Sequence, residues 1–316
     1  MTEKPHVLVC GSINMDLVVR TAELPTPGQT RMARSLEEVS GGKGANQAVA
    51  ASRLGAIVRM LGCVGSDGFA TTLRNNLTYE RIDTNWIRAV PGPSGVAIVA
   101  VDDAGENSIM VVPGSNGLLT PSLIDESIPA IQWADWVVLQ LEIPIDSVKH
   151  AIARARDFGK RVILNPAPCP ASFDPALFHV DVLCPNKTEA ESLLGIKIET
   201  IEEARAAALS LQKRGAAQVV ITLGNQGAVV AHLDPNSDAT TWIPPFQVNA
   251  VDTTAAGDAF IGAMVTQLGQ GSSLVDACSY AAAAAAHAVT VPGAQPSLPS
   301  SDQVLAILAA TKPINP

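Results

Sequence analysis

The chain of 316 residues is long enough for one large hydrophobic core, or for a core domain with a small accessory one. Apolar residues make up 47% of it and charged residues 16%, which is typical of a folded globular protein and not of a disordered one. The net charge of −9 argues against a nucleic-acid-binding protein, because such a protein normally carries a basic face.

Neither a secretion signal nor a membrane span is predicted. The first apolar run, residues 7–10, is too short for a signal peptide, and no apolar run is long enough to cross a bilayer. The five cysteines show no paired spacing, so they predict buried thiols in a reducing cytoplasm and neither disulfides nor a zinc site. They are Cys10, Cys63, Cys169, Cys184 and Cys278.

In chain order, apolar runs alternate with helical patterns. Strands are predicted at residues 7–10, 58–64, 136–141, 161–164, 180–184, 218–223, 228–232 and 246–251. Helices are predicted at residues 43 to about 54, 69–76, 147–158, 201–214 and from 254 onward. This alternation of continuous apolar strands with helices predicts an α/β fold with a doubly wound, mostly parallel sheet covered on both faces.

Two stretches break this rhythm. Residues 13–20 and 31–39 alternate in polarity, and residues 96–101 and 108–112 are joined by a turn and predict a hairpin. We expect these segments to form a small antiparallel sheet, a candidate lid made of about residues 13–39 and 94–113. The lid would be inserted in a single α/β domain that spans residues 1–316.

Polar residues and glycine follow several of the predicted strands. Asn165, Asn186, Gly224 and Asp252 each come directly after a strand or one residue beyond it. Ligands of open α/β sheets bind at the carboxyl ends of the strands, so these positions predict a binding edge.

Small residues between two aspartates, Asp252 and Asp258, precede a predicted helix. The amides of the helix's first turn, residues 254–258, lack partners within the helix, and the helix dipole makes the place electropositive. Small side chains let an anion approach these amides. Asp258 could then accept a proton from a hydroxyl while the amides hold a phosphoryl group. The alternative is that Asp258 only caps the helix.

A glycine-rich stretch, residues 41–44, begins an earlier helix. It is not a Walker A motif, because Lys43 is followed by glycine, and it does not have the spacing of a dinucleotide fingerprint. One interpretation is simply a glycine-rich start of a helix. The other is a bare backbone against which a polyol lies, with Asn46 and Lys43 donating hydrogen bonds to its hydroxyls.

Three further polar residues have two interpretations each. Asn14 and Asp16 alternate along an extended segment and therefore point the same way, either to bind hydroxyls or as turn residues. Glu142 ends an apolar strand, where a carboxylate is usually a helix cap but also lies at the binding edge of the sheet.

Asn186 and Glu189 lie three residues apart on what should be a first helical turn, and they share a face. Oxygen ligands of this kind suit a hydrated Mg²⁺ near phosphates. A reciprocal helix cap is the equally weighted alternative.

Taken together, these motifs resemble those of the ribokinase-like (PfkB) carbohydrate kinases. Residues 41–48 resemble the first signature of that family and residues 252–258 the second, and Asn186 with Glu189 matches its Asn-x-x-Glu motif. The likeness extends essentially from end to end, because residues 11–16, 24–28, 140–142, 165–168 and 293–297 share it too. Two signatures in the right order are specific.

The resemblance implies an ATP-dependent kinase that phosphorylates the 5-hydroxyl of D-ribose. It implies ATP, Mg²⁺ and a monovalent cation, usually K⁺, as cofactors, and a homodimer formed through the lid. The alternatives are a kinase of the same family for deoxyribose, a fructose-type sugar or a nucleoside, and a non-catalytic sugar-binding protein.

The resemblance also assigns site residues. Asp258 would be the base, and the amides of Ala255, Ala256 and Gly257 the anion hole. The sugar would be held by Asn14, Asp16, Gly42, Lys43, Asn46 and Glu142. Asn186, Glu189, Thr222, Gly224, Gly227 and Gly257 would line the nucleotide site, with Glu189 and Asn186 acting on Mg²⁺ and phosphate. The monovalent cation would be bound by Asp252, by the carbonyls of Thr254, Ala288, Val291 and Gly293, and by the Ser297 hydroxyl.

The loop expected to bind the cation departs from the family, and the expected adenine pocket allows no residue to be assigned. Val291 and Pro292 replace a commonly basic pair, and Pro292 stiffens the loop expected to bind the cation. The adenine pocket, expected near residues 279–286, has no clear polar or aromatic handle, so no adenine contact is predicted.

Overall fold

A computed structural model describes residues 3–233 and 240–310. Its strands are β1 (His6–Cys10), β2 (Asn14–Arg20), β3 (Ser35–Gly41), β4 (Ile57–Val64), β5 (Ile87–Ala89), β6 (Gly95–Val101), β7 (Asn107–Val112), β8 (Trp136–Leu139), β9 (Arg161–Leu164), β10 (Val182–Leu183), β11 (Gln218–Thr222), β12 (Ala228–Ala231) and β13 (Thr240–Ile243).

Its helices are α1 (Lys43–Arg53), α2 (Gly68–Tyr79), α3 (Pro121–Asp125), α4 (Ile128–Trp133), α5 (Ile145–Asp157), α6 (Lys187–Leu194), α7 (Ile201–Lys213), α8 (Ala256–Gly269), α9 (Leu274–Ala288) and α10 (Ser301–Ala310). Short 3-10 turns lie at Gly114–Leu118, Pro175–Phe178, Gly224–Gln226 and Gln295–Ser297. Among the described residues, no helix combines the length and the apolar character needed to cross a membrane.

The main sheet has the strand order β13-β12-β11-β10-β9-β8-β1-β4-β5. Strands β11 to β5 along this order are parallel, and β12 and β13 extend one side as antiparallel strands. Alternate residues of β1 enter different apolar clusters: Val7 and Val9 pack on the side of α1, α8 and α9, and Leu8 and Cys10 on the other. Burial on both faces explains why the strands are continuous apolar runs, and the predicted doubly wound fold is confirmed.

One predicted strand is wrong. Residues 246–251 form no strand, and β13, which the sequence pattern missed, takes the edge position beside β12. Pro244 and Pro245 follow β13 directly. Proline has no N–H to donate to a neighbouring strand, so the chain leaves the sheet there.

The second, small sheet has the order β3-β2-β6-β7. The β2–β3 and β6–β7 pairs are antiparallel, so the predicted hairpin is confirmed. The central β2–β6 pair is parallel, however, with Asn14 opposite Gly95. The physical reason is that β2 follows β1 and β6 follows β5, two parallel strands that both end at the carboxyl edge of the main sheet.

A largely buried ion pair ties three elements together at the far end of α1. Arg53 donates from Nε and Nη2 to the two carboxylate oxygens of Glu80 at 3.0 and 2.6 Å. Its Nη1 donates to the carbonyls of Gln295 and Leu298 at 2.9 and 2.6 Å. Arg53 thereby connects α1 with the end of α2 and with the 3-10 turn before α10.

We expect Arg53→Leu to lower the free energy of unfolding by about 2–4 kcal/mol, because it leaves the Glu80 carboxylate, 12% exposed, without its partner. Urea denaturation measures this. The exposed pair Arg34–Asp103 provides the control, and Arg34→Leu should cost about 0.5 kcal/mol or less. Equal losses in the two variants would contradict the structural role given to Arg53.

Candidate active site

Asp258 lies in the first turn of α8 and is buried. Its Oδ2 accepts a hydrogen bond from Asn46 Nδ2 at 3.0 Å, and its Oδ1 accepts one from Gln47 Nε2 at 2.9 Å. Both donors come from α1, which packs closely on α8 because Gly262 has no Cβ to meet Ala50. Burial raises the pKa of Asp258, and Lys43 and the two amide donors oppose that rise.

Helix α8 begins two residues later than the sequence predicts. The helix begins at Ala256, so Thr254 lies outside it, and Ala255 is the N-cap residue with a left-handed φ of 60°. A non-glycine residue there costs roughly 1 kcal/mol, which is backbone strain of the kind found at functional sites. In the described part of the chain, the amides of Ala255 and Gly257 have no protein acceptor, and that of Ala256 makes a long bond of 3.3 Å to Thr253. The strained cap therefore exposes free donors beside Asp258.

Lys43 is the one cation among four carboxylates at this edge of the sheet, counting the described residues that influence its titration. Burial lowers its pKa, but Asp258, Glu142, Glu189 and Asp16 together raise it above the usual value. Lys43 therefore stays protonated, and it partly neutralises a site that is otherwise strongly acidic.

Asp16 and Asn14 lie on β2 and share a face, as expected. The Asp16 carboxylate lies against Gly41, where any Cβ would overlap it. Burial, and then Glu142 and Asp258, raise the pKa of Asp16 to about 7, against the opposing effect of Lys43. The described residues give this carboxylate no hydrogen-bond donor, so its oxygens are available to a ligand.

Asn14 is held by Asn116, whose Nδ2 donates to Asn14 Oδ1 at 2.6 Å. The Asn14 amide group is therefore left as a donor. Gly42 lies directly beneath this residue with a left-handed φ of 90°, and a Cβ on it would come within 2.7 Å of the Asn14 backbone nitrogen. Glycine is thus required where the backbone turns under the site.

Glu142 does not cap the helix that follows it, since α5 begins at Ile145 after Pro144. Its Oε2 accepts hydrogen bonds from Ser12 Oγ at 2.6 Å and from the Lys43 backbone N–H at 3.2 Å. Glu142 is therefore fixed against the start of α1, on the same side as Asp16.

Asn186 and Glu189 form the capping pair that was one of the two interpretations. Asn186 Oδ1 accepts from the Glu189 N–H, and Glu189 Oε2 accepts from the Asn186 N–H, both at 2.8 Å. Burial raises the pKa of Glu189, while the hydrogen bond from Asn186 and the charge of Lys43 lower it. Capping does not exclude a ligand role, because Glu189 also lines the cavity in front of Asp258.

Two cavities meet at the N-terminus of α8. A polar one of about 180 Å³ has Lys43, Asn165, Asn186, Glu189 and Asp258 in its wall. An apolar one of about 290 Å³ is lined by Gly224, Gly227, Phe246, Ala282, Ala285 and Val289, among others. Thr222, Thr253 and Gly257 belong to both. A molecule in the apolar cavity thus reaches Ala256 and Gly257 at the start of α8, and the polar cavity that contains Asp258 adjoins it there.

The apolar cavity explains two sequence observations. Residues 245–250, predicted in part as a strand, instead form one wall of the cavity as irregular chain. The small side chains of Ala282, Ala285 and Ala286 on α9 form part of the facing wall, within the region where the adenine pocket was expected. Phe246 supplies the aromatic surface that the sequence pattern did not identify.

Asp252 does not follow a strand, contrary to the prediction, but organises a loop. It accepts hydrogen bonds from the backbone N–H groups of Thr254 at 2.9 Å and Gly293 at 2.8 Å. Burial raises its pKa, but a hydrogen bond from the Thr254 hydroxyl, the two backbone bonds and the charge of Arg20 together hold the pKa below the usual value. Asp252 therefore joins the segment before α8 to the loop after α9. The remaining predicted cation ligands lie around that loop: Ala288, Val291 and Ser297.

Four buried polar residues at the site were missed as functional residues: Ser12, Gln47, Asn116 and Gln140. Gln140 had a signal, because it is a polar residue at the end of an otherwise apolar run. Ser12 and Gln47 lay within the stretches 11–16 and 41–48 that carry the family resemblance, but no role was assigned to them. Asn116 had no signal, because its partner Asn14 is 102 positions away.

A doubly wound sheet with a buried carboxylate, free helix amides and two adjoining cavities has the parts of a small-molecule kinase. A family model described as pfkB family carbohydrate kinase matches residues 4–301, and the chain belongs to that family. The predicted family and fold class are thereby confirmed.

Individual relatives agree. The chain is 39% identical over 301 residues to the ribokinase of Haemophilus influenzae, covering 95% of this chain and 97% of that protein. It is also 39% identical over 299 residues to the deoxyribokinase of Salmonella typhi, covering 94% and 96%. The solved structure of Arabidopsis thaliana ribokinase complexed with ribose and ATP superposes with a TM-score of 0.87 at 31% identity, covering 97% of this chain and 99% of that one.

Proposed function

We propose that the protein is an ATP-dependent ribokinase that transfers a phosphoryl group to the 5-hydroxyl of D-ribose, giving ribose 5-phosphate and ADP. The observation that carries the proposal is the position of Asp258, buried beside the free amides of α8 where a polar and an apolar cavity meet. Relatives named ribokinase, one of them solved with ribose and ATP, support ribose as the sugar.

Asp258 acts as the base in this proposal. A sugar hydroxyl is too weak an acid to lose its proton to a carboxylate before attack, so the proton moves late and catalysis is mostly positioning and charge stabilisation. Asn46 and Gln47 fix the carboxylate. The amides of Ala255, Ala256 and Gly257 stabilise the charge on the phosphoryl group in transfer.

The sugar lies between α1 and the small sheet. Asp16 and Glu142 accept hydrogen bonds from its hydroxyls, and Asn14, Lys43 and Asn46 donate to them. Gly42 gives the ring access to the backbone. The small sheet, which supplies Asn14 and Asp16, acts as a lid that keeps water from the phosphoryl group.

The nucleotide occupies the apolar cavity, whose apolar lining with Phe246 suits a base and whose wall includes Gly257 at the start of α8. Thr222, Gly224 and Gly227 line its phosphate and ribose end. Glu189 retains Oε1 outside the capping pair, which fits an oxygen ligand for hydrated Mg²⁺, with Asn186 beside it. The bound Mg²⁺ supplies charge neutralisation at the phosphates.

A monovalent cation, K⁺ in the first place, is proposed at the loop that Asp252 organises. Each carboxylate oxygen of Asp252 accepts one backbone N–H and keeps a lone pair, so it can also act as a weak ligand of the cation. The carbonyls of Thr254, Ala288, Val291 and Gly293 and the Ser297 hydroxyl complete the donor set. A cation there would supply positive charge behind the anion hole.

The experiment that tests the proposal is sugar-dependent ADP release with Mg-ATP, in K⁺ and in tetramethylammonium. The sugar panel contains ribose, 2-deoxyribose, other pentoses, hexoses and nucleosides. Strong preference for ribose supports the proposal. Preference for 2-deoxyribose is the second candidate, because the chain is as similar to a deoxyribokinase as to a ribokinase. ATP turnover with none of the panel, together with tight sugar binding, would indicate a non-catalytic sugar-binding protein.

We also propose a homodimer formed through the small sheet. Four successive apolar residues of its edge strand β7 are exposed: Ile109 by 53%, Met110 by 62%, Val111 by 47% and Val112 by 49%. Successive residues of a strand point to opposite faces, so both faces of this edge are uncovered. Such a surface aggregates unless a partner covers it, and a second copy of the chain would do so.

The unpaired cysteines further suit a reducing cytoplasm.

Met110→Glu is expected to convert the dimer into a monomer, because it places a charge in the centre of the covered apolar surface. Light scattering after size-exclusion chromatography, at micromolar concentration, gives the mass. Leu305→Glu is the matched control, since Leu305 is 55% exposed on α10, a helix that packs against α9. A monomeric wild-type protein would contradict the proposed dimer.

A further inference from the structure

We infer that Gln47, itself oriented by Gln140, is a positioning residue that holds the Asp258 carboxylate in the orientation needed to accept the substrate's proton. The inference rests on the proposed role of Asp258 as the base. It concerns residues that touch neither the sugar nor the nucleotide in the proposed arrangement, and that act through Asp258.

Gln47 uses its whole amide in this arrangement. Its Nε2 donates to Asp258 Oδ1 at 2.9 Å and to Asn165 Oδ1 at 3.2 Å, and its Oε1 accepts from Gln140 Nε2 at 2.6 Å. Gln47 is 1% exposed, so water does not compete for these bonds. With every bonding position defined, the amide has one orientation, and that orientation directs an N–H group at the base.

Gln140 reinforces this orientation, which the two acceptors Asp258 Oδ1 and Asn165 Oδ1 also require. It is fully buried and donates to Gln47, yet its own Oε1 has no partner within the described residues. If the Gln47 amide were turned over, its Nε2 would face the Gln140 Nε2, and two donors would oppose each other.

The backbone makes room for this pair. Gly11 lies at the end of β1, and a Cβ on it would overlap Gln140 Oε1. The second acceptor, Asn165, is fixed in turn, because its Nδ2 donates to the Cys184 carbonyl at 3.0 Å. From Gln140 through Gln47 to Asp258 every member is therefore buried, while Asn165 joins the chain from the wall of the polar cavity.

The chemical effect follows from burial. Desolvation favours the neutral form of Asp258, in which it cannot accept a proton, and the Gln47 and Asn46 donors favour the charged form. Asn46 supplies one donor to Oδ2, and its Oδ1 is unpaired, so its amide is less constrained than that of Gln47. Loss of the Gln47 donor should therefore raise the pKa of Asp258 and lower the fraction of active base at neutral pH.

The test uses Gln47→Leu, which keeps the bulk and removes the donors, and Gln140→Met, which removes the orienting donor and the unpaired oxygen. For Gln47→Leu we expect kcat to fall about 10- to 100-fold with the sugar KM within about threefold. The acid limb of the kcat profile, which reports groups of the enzyme with sugar bound, should move up by about one pH unit. Gln140→Met should show the same two changes, a lower kcat and a shifted acid limb, each smaller than in Gln47→Leu.

Gln212→Leu is the matched control: this glutamine is on α7, its Nε2 donates to the Ala217 carbonyl at 3.0 Å, and it should leave the profile unchanged. A second readout does not need activity: ¹³C NMR titration of the aspartate carboxyls, with Asp258 assigned from Asp258→Asn. An unchanged Asp258 pKa in folded Gln47→Leu overturns the inference, whether or not the wild type turns over ribose. If Gln47→Leu fails to fold, Gln140→Met carries both readouts, and an unshifted acid limb and Asp258 pKa there overturn it equally.

Discussion

Asp258→Asn is expected to lower kcat for ribose by about 10³-fold while the ribose Kd changes little, because general base catalysis contributes about 10²- to 10⁴-fold. The variant should fold. Asn46 Oδ1 has no partner in the described part of the chain, so the Asn46 amide can turn over and accept from the new side-chain N–H₂ without losing another bond. Steady-state ADP release gives kcat, and calorimetric titration gives the ribose Kd.

The control for this variant is Asp276→Asn. Asp276 also lies in the first turn of a helix, but it is exposed on α9 and its carboxylate accepts only from the Ser273 hydroxyl in that turn. It should leave kcat unchanged. A near wild-type kcat for Asp258→Asn would exclude Asp258 as the base, whatever happens to binding.

Asp16→Asn is expected to weaken ribose binding by about 10²-fold, since two hydrogen bonds from sugar hydroxyls to a charged carboxylate are worth about 1.5–3 kcal/mol each and the amide retains part of them. The same variant should raise Tm at pH 8. In the folded protein the pKa of Asp16 is about 7, so folding favours the neutral form, and the charged form destabilises the fold increasingly as pH rises from 3.8 to 7. Removing the charge removes this penalty.

The pH dependence of ribose binding has the opposite sign to that of stability: binding strengthens as pH rises. The sugar needs the ionised carboxylate, whereas below pH 7 Asp16 of the free protein is protonated. The ribose Kd of the wild type should therefore fall as pH rises to about 7 and then level off. Glu142, Asp258 and Lys43 face the same carboxylate and shape the titration. In Asp16→Asn the ribose Kd should no longer change over this pH range. An unchanged pH dependence in that variant would show that another group controls it.

The main architecture was predictable because local and global signals agree in it. The continuous apolar runs at β1, β4, β8, β9 and β11 are buried on both faces, so each run had one interpretation. The signatures around Lys43 and Asp258 predicted the two helix starts that meet at the site. Residues 246–251 show the limit: an apolar stretch can be a strand or a cavity wall, and only the neighbours decide.

The supporting contacts could not be predicted because they depend on tertiary placement. Ser12 and Glu142 are 130 positions apart and Gln47 and Asp258 are 211 apart, so no local pattern relates them. The left-handed Ala255 is a backbone state that its sequence gives no reason to expect, since alanine rarely adopts it. The burial that moves the Asp16 pKa also arises only when the small sheet packs beside α1.

The parallel pairing of β2 with β6 sets how the small sheet can move. The chain passes four times between the small sheet and the rest of the domain, through residues 11–13, 42, 90–94 and 113. Left-handed glycines lie at or beside three of these passages, at Gly42, Gly92 and Gly114. A flap hinged at one loop could fray strand by strand, whereas we expect a sheet held by four passages to move as one unit. If the sheet closes over a bound sugar as proposed, the movement would pivot near Asn14, which Asn116 ties to the rest of the domain, and Asp16 would move with its whole strand.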